Sequence, residues 1–257
     1  MSGVAVAWQA GVLSVALDRP ERRNALDDGM LAALEEAAAR AHDDEVRVVV
    51  LSGRGSAFCA GADLAPGTDE DGIPGPSEAT LTTSDRVFRA WESIPVPVVA
   101  AVDGAAYAGG LELLLCCDLI VAGPAARFAD AHARFGLLPG AGGAYRLPHR
   151  VGPAAAKLLL FTGEEIDAVE AHRIGLVDVL AAGDAATHVE GLAATLASRS
   201  PLGLRELKRL VGASRVLDAE AGLRAGLDAI LTHRRSADYT EGLRAFAERR
   251  APRFSGR

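Results

Sequence analysis

The period of the hydrophobic pattern changes several times along the chain, and each change marks an element. Residues 4–8 and 12–17 alternate or run apolar around Gln9-Ala10-Gly11, which predicts a β-hairpin ended by Asp18-Arg19-Pro20. Between residues 26 and 40 the apolar positions Leu26, Met30, Leu31 and Leu34 recur at helical spacing among alanines, before a polar stop at His42-Asp43-Asp44-Glu45. Two β-branched runs, residues 46–51 and 96–102, read as buried strands; a helix expected over residues 85–94 enters the second through Pro95 and Pro97. Gly109 and Gly110 open a short helix to Leu115, and residues 119–122 and 126–128 supply further strands. The recurring strand-turn-helix unit predicts strands stacked as a spiral.

From Gly152 onward the pattern is helical almost throughout, over residues 154–161, 167–174, 185–200, 202–211, 219–231 and 238–247. Residues 65–83 fit neither period. Pro66, Gly67, Gly72, Pro74, Gly75 and Pro76 among four acidic residues predict a mobile loop, either a cover over a ligand or a variable surface excursion.

Composition narrows the class. A chain of 257 residues, 49% hydrophobic, fits one large domain or a domain with an appendage and holds enough apolar material for a core. Net charge is −7 and the arginines are scattered until the final stretch, so no basic stripe offers itself to nucleic acid. No run reaches the roughly 18 apolar residues of a spanning helix, and no cationic start precedes an apolar core at Met1-Ser2-Gly3-Val4. A cytoplasmic protein without a membrane partner is expected. Cys59, Cys116 and Cys117 are odd in number and lack metal-ligand spacing, so they read as small buried apolar residues in a reducing compartment.

Two glycine-bearing stretches carry the chemistry: Phe58-Cys59-Ala60-Gly61-Ala62-Asp63, and Asp103-Gly104-Ala105-Ala106-Tyr107-Ala108-Gly109-Gly110-Leu111-Glu112. Each follows a β-branched run and precedes an expected helix, so each turn can aim unpaired backbone N–H groups at one point. An oxyanion hole is built that way. Close packing of a helix start is the other reading of Gly109-Gly110 taken alone, and the paired turn at Ala60 favours the site.

Together with Asp18-Arg19-Pro20, Asn24-Ala25-Leu26, Phe135-Gly136-Leu137-Leu138-Pro139-Gly140-Ala141-Gly142-Gly143, Leu160-Phe161-Thr162-Gly163, Glu170-Ala171, Gly175-Leu176-Val177 and Glu241-Gly242-Leu243-Arg244-Ala245-Phe246, these stretches resemble, in order and spacing, the crotonase superfamily. This is the enoyl-CoA hydratase/isomerase family, and the likeness covers nearly the whole chain. It implies an α/β fold with a crotonase-like β-β-α spiral core and acyl-CoA site over residues 1–200. Residues 201–257 would then form a C-terminal helical trimerisation region, giving a homo-trimer or hexamer. It also implies an acyl-CoA substrate, no cofactor beyond the coenzyme A that the substrate carries, no metal, and hydration of 2-enoyl-CoA as the nominal reaction. Isomerisation, another enolate reaction such as decarboxylation or thioester hydrolysis, and catalytically silent acyl-CoA binding stay open.

By position within these motifs, the resemblance makes Ala60 and Gly109 the oxyanion donors and leaves Gly110 bare beside the thioester. Arg22, Arg23 and Ala25 fall where relatives approach the nucleotide of coenzyme A, and Ala62, Asp63 and Leu64 where they meet adenine and pantetheine. A solvated cluster is the alternative for the arginines, and helix capping for Asp63.

Relatives hydrate with two glutamates on opposite helix starts. Glu112 matches the first, and His132 occupies the place of the second. Its unperturbed pKa near 6.5 lets an imidazole give or take a proton at neutral pH, and once protonated it is expected to pair with Glu112 and hold that carboxyl's pKa down. A packing residue at a helix start is the other reading. Asp130 is expected to cap the helix that follows, and Tyr107 and Tyr145 to pack in the core or line the acyl pocket. The other five histidines, His42, His149, His172, His188 and His233, read as surface or helix residues.

Overall fold

The computed structural model describes residues 3–64, 68 and 72–257. The hairpin forms as β1 (Val4–Gln9) and β2 (Val12–Leu17), antiparallel with Val4 opposite Leu17. α1 (Asp28–Arg40) begins where the Asp27 carboxylate accepts the Met30 N–H at 2.8 Å, and it buries Met30, Leu31 and Leu34. There follow β3 (Val48–Gly53), β4 (Ala57–Cys59), α2 (Glu78–Glu92), β5 (Val98–Val102), β6 (Ala105–Tyr107), α3 (Gly109–Leu114), β7 (Leu119–Ala122) and β8 (Arg127–Ala129). The chain continues through α4 (Gly143–Thr162), β9 (Ile166–Asp167), α5 (Ala168–Arg173), β10 (Val179–Leu180), α6 (Ala185–Ala197), α7 (Pro201–Ala213), α8 (Ala219–His233) and α9 (Ala237–Glu248).

The spiral lies in how consecutive strands divide between two sheets. β3, β5 and β7 join one sheet, in the order β1-β2-β3-β5-β7-β10, and β4, β6 and β8 join another, in the order β4-β6-β8-β9. Three successive strand pairs therefore climb the two sheets in step. Every pairing from β2 to β10 is parallel, as are β4 with β6 and β6 with β8. The uninterrupted apolar run in β5 follows from burial on both faces: Val98, Ala100 and Val102 face the main core with α1 and α2, while Val99 and Ala101 face Ala185, Val189 and Ala193 of α6. Asp103, at the end of β5, reaches across to accept the Ala185 N–H at 2.6 Å at the start of α6.

The short strands β4, β6, β9 and β10 go beyond the sequence pattern, and three expected helices differ from it. α2 starts at Glu78 rather than near residue 85, because Ser77 accepts the Thr80 N–H at 3.1 Å and the first two turns are polar and mostly exposed, which hides their helical period. α4 starts at Gly143, eleven residues before the expected helix, and is interrupted at Gly152 (φ 79°, ψ 160°) between Pro148 and Pro153. No helix follows the first glycine turn through Leu64; the segment is extended, with Leu26 bridging Ala62. Of the expected loop, residues 65–67 and 69–71 lie outside the described residues, and residues 78–83 belong to α2. Among the described residues no helix is long and apolar enough to cross a membrane.

α8 buries none of its residues: Leu223 is 79% exposed and Leu227 57%. With Val211 and Val216, also exposed, these leave the C-terminal helices with an uncovered apolar face.

Candidate active site

The parallel strands β4, β6 and β8 deliver three turns to one edge of the smaller sheet. Ala57 pairs with Ala105 and Tyr107 with Ala129, so the segments after Cys59, Tyr107 and Ala129 leave side by side. The first two turns touch. A side chain on Gly61, whose φ of 99° already disfavours one, would come within 3.2 Å of the Gly109 nitrogen. Ala108 takes φ 47° and ψ −119° to lead into α3, a strained conformation for a residue with a side chain.

The N–H directions correct one expected donor. Ala60 gives its N–H to the Arg23 carbonyl at 3.0 Å, so it does not face Gly109. Beyond it, the Gly61 carbonyl and the Asp63 N–H both pair with Leu26, at 2.8 Å each. In an extended segment the intervening N–H points the other way, which turns the Ala62 N–H away from Leu26, and the Ala62 nitrogen lies 3.6 Å from where a side chain on Gly109 would begin. Among the described residues no backbone carbonyl accepts from Ala62 or Gly109. Gly110 is buried, and a side chain there would meet the Cys59 carbonyl oxygen at 2.3 Å. Its bareness lets the two turns close on each other rather than opening room for a ligand.

Glu112 projects from α3 and is 3% exposed. Its Oε1 accepts the N–H of Ala141 at 2.9 Å and of Gly143, the first residue of α4, at 2.8 Å. Its Oε2 lies 4.0 Å from Nε2 of His132. Burial raises the Glu112 pKa; the two N–H groups and the His132 charge pull it down without prevailing. The expected downward pull of His132 on this carboxyl is present, but desolvation outweighs it and the pKa ends above the ordinary glutamate value.

His132 opens a single 3-10 turn, His132–Phe135, whose N-terminal position is filled by Ala131 without any side-chain cap. Asp130 is not the expected cap: it is 1% exposed and its Oδ1 lies 3.0 Å from Nδ1 of His132. Burial alone lowers the histidine's pKa, but the hydrogen bond and charge of Asp130, with the charge of Glu112, raise it above its ordinary value.

A buried cation was not foreseen. Arg146, one turn into α4 and 6% exposed, binds the Glu92 carboxylate at 2.9 Å and donates to the Ala141 carbonyl at 2.5 Å. It thereby holds the Ala141–Gly142 peptide, which lies between the two N–H groups that grip Glu112. The sequence carries no sign of this, since an arginine on a helix ordinarily reads as solvated.

The residues expected near coenzyme A divide. Asp63 is ion-paired with Arg19 and Arg22, each at 3.2 Å, rather than capping a helix. Arg22 and Arg23 are exposed, Ala25 is buried, and Leu64 is 59% exposed. Buried Asn24 ties this segment to β4 by donating to the Ala57 carbonyl at 2.8 Å. Tyr107 bonds Glu165 through its hydroxyl and Tyr145 is 60% exposed against His149, so neither packs in the core. The three cysteines are buried, and burial pushes the Cys59 thiol up to about 12. Among the described residues no three His, Cys, Asp or Glu side chains cluster to hold a metal.

Paired parallel sheets climbing as a spiral, with adjoining N–H turns at one strand edge, define a crotonase fold. A model described as enoyl-CoA hydratase/isomerase matches residues 7–257, and the chain belongs to that family. It is 36% identical to the 2,3-dehydroadipyl-CoA hydratase of Escherichia coli, over 100% of both chains. It is 34% identical to the 1,2-epoxyphenylacetyl-CoA isomerase of the same organism, over 97% of each. The crystal structure of an enoyl-CoA hydratase from Bacillus anthracis superposes with a TM-score of 0.93 at 31% identity, covering 99% of this chain and 100% of that one.

Gly110→Ala forces a methyl group against the Cys59 carbonyl, so it is expected to cost about 1–3 kcal/mol of stability and to part the two turns. Chemical denaturation and acyl-CoA titration check this; a variant with wild-type stability and affinity contradicts it.

Proposed function

We propose that this protein hydrates 2-enoyl-CoA thioesters through an enolate held by the N–H groups of Ala62 and Gly109. The observation that carries the reading is the Glu112 carboxylate, fixed through one oxygen and turned through the other toward His132 Nε2 at 4.0 Å. One water with contacts of about 2.8 Å reaches both atoms across that gap. Glu112 Oε2 takes a proton from this water as its oxygen bonds C3 of the substrate. The C2–C3 π electrons move onto the thioester oxygen, where two N–H donors contribute a few kcal/mol each. Protonated His132 then delivers its Nε2 proton to C2 as the enolate collapses. A proton returned from Oε2 to Nε2 through solvent resets the pair. Coenzyme A enters as part of the substrate, with exposed Arg22 and Arg23 available to its phosphates.

A one-base isomerisation is the second reading, favoured by the similarity to an isomerase. Loss of the enoyl-thioester absorbance separates the two. Hydration predicts that Glu112→Gln and His132→Ala each lower turnover by about 10²–10⁴-fold. Isomerisation of a 3-enoyl-CoA that survives His132→Ala and fails with Glu112→Gln would overturn it in favour of the second.

The reading extends to assembly. Residues 201–257 supply the uncovered apolar face of α7 and α8, which a homo-trimer or a hexamer of two trimers would bury. Light scattering is expected to give a trimer or hexamer mass that drops to the monomer in Leu223→Glu/Leu227→Glu; a monomeric wild type contradicts the extension.

A further inference from the structure

Asp130 is a carboxylate in the most expensive setting a chain can give one, 1% exposed at the end of β8, and it caps no helix. Its Oδ1 stands 3.0 Å from Nδ1 of His132. On the opposite side of the ring, Nε2 faces Glu112 of α3 at 4.0 Å. Asp130 and Glu112 are the two charged groups that bear on this imidazole, and behind Glu112 its charge bears in turn on Arg146 of α4.

We propose that Asp130 is a positioning residue, which holds the proton of His132 on Nδ1 and leaves Nε2 as the nitrogen that gives and takes protons beside Glu112. This rests on the hydratase reading and deepens it: the second carboxylate of the two-glutamate site is replaced by an aspartate–histidine pair. An ionised carboxylate accepts hydrogen bonds and donates none, so the nitrogen it binds must carry the proton. The tautomer with hydrogen on Nε2 and a bare Nδ1 would set a lone pair against the carboxylate. The arrangement uses the same logic by which a buried aspartate orients the histidine of a serine-protease triad, here with a second carboxylate in place of the nucleophile. The negative charge of Asp130 also favours the imidazolium that the proton delivery to C2 requires.

A consequence follows for His132→Glu. Restoring the second glutamate here would crowd a third carboxylate between Asp130 and Glu112, where like charges in a buried space resist ionisation together. Removing the charge of Asp130 should therefore impair the native site and improve the glutamate-substituted one. A residue that merely supports the turn would give the same loss in both.

Two measurements on the full-length protein test this. With 15N-labelled histidine, and His132 assigned by its absence in His132→Ala, the resonances are expected to show Nδ1 protonated throughout the titration and Nε2 alone gaining and losing its proton. A neutral form protonated on Nε2 overturns the proposal, and this readout needs no Asp130 variant to fold. In turnover of 2-enoyl-CoA, Asp130→Asn is expected to cost about 10²-fold or more, while Asp130→Asn/His132→Glu exceeds His132→Glu alone. Equal losses in the two backgrounds overturn the role of Asp130. Wild-type hydration by His132→Ala would overturn the catalytic part of the pair, whereas a wild type that leaves 2-enoyl-CoA unchanged would overturn the hydratase reading and leave the resonance measurement to decide the tautomer.

Discussion

The site depends on two backbone N–H groups closing on one oxygen of a buried carboxylate. Ala141 and Gly143 fix Oε1 of Glu112, and because Gly143 opens α4, the partial positive charge of a helix start lies behind that oxygen. Fixing Oε1 determines where Oε2 can be. The loop that donates is itself held, since Arg146 joins the Ala141 carbonyl to Glu92 at the end of α2. A chain of contacts thus runs from α2 through α4 to the Glu112 carboxylate, and Arg146 at its middle is buried well enough that removing half-exposed Glu92 would strip a buried charge of its main partner.

The spiral supplies the other half of the geometry. Strands β4, β6 and β8 pair in parallel and end at the same edge, so residues nearly seventy positions apart arrive together without any long-range side-chain contact to recruit them. Backbone groups of the first two turns face one point, and side chains from the second and third turns face another. Small residues at the crossing, Gly61 and Gly110 above all, allow this approach. The two turns and the Glu112–His132 pair are therefore set by the sheet, while the loops around them are free to vary.

Much of the fold was legible because burial on one or both faces writes a period into the residues. The hairpin, α1 and the two β-branched strands all carry such a period. Where exposure erases it, as in the polar first turns of α2, or where prolines and glycines interrupt it, as in α4, the boundary was misplaced. Within the site, Glu112 and His132 were marked by their places in the motifs that carry the family resemblance. The free direction of the Ala62 N–H was not, because which way an N–H points depends on the parity of an extended segment, and Cys59-Ala60-Gly61-Ala62 are uniformly small. Asp130 looked like a cap since local statistics favour that role for an aspartate before a helical turn; its true partner, two residues on, is set by the αL conformation of Ala131. Arg146 gave no sign, its partners lying on α2 and on a loop that only the fold brings near.

The central claim is that Glu112 works ionised and His132 protonated, each with a raised pKa. The pH dependence of kcat/KM for 2-enoyl-CoA hydration tests it most directly. As pH falls through the raised Glu112 value the base is lost, so the acid limb should lie above the ordinary glutamate value of about 4.3. As pH rises through the raised His132 value the proton for C2 is lost, so the alkaline limb should lie above about 6.5. A bell between these limbs, with its alkaline side moved to lower pH in His132→Glu because the new carboxyl must be protonated to serve C2, is the predicted result. A rate that climbs steadily with pH through the neutral range would show that His132 acts unprotonated or not at all, and would contradict the account.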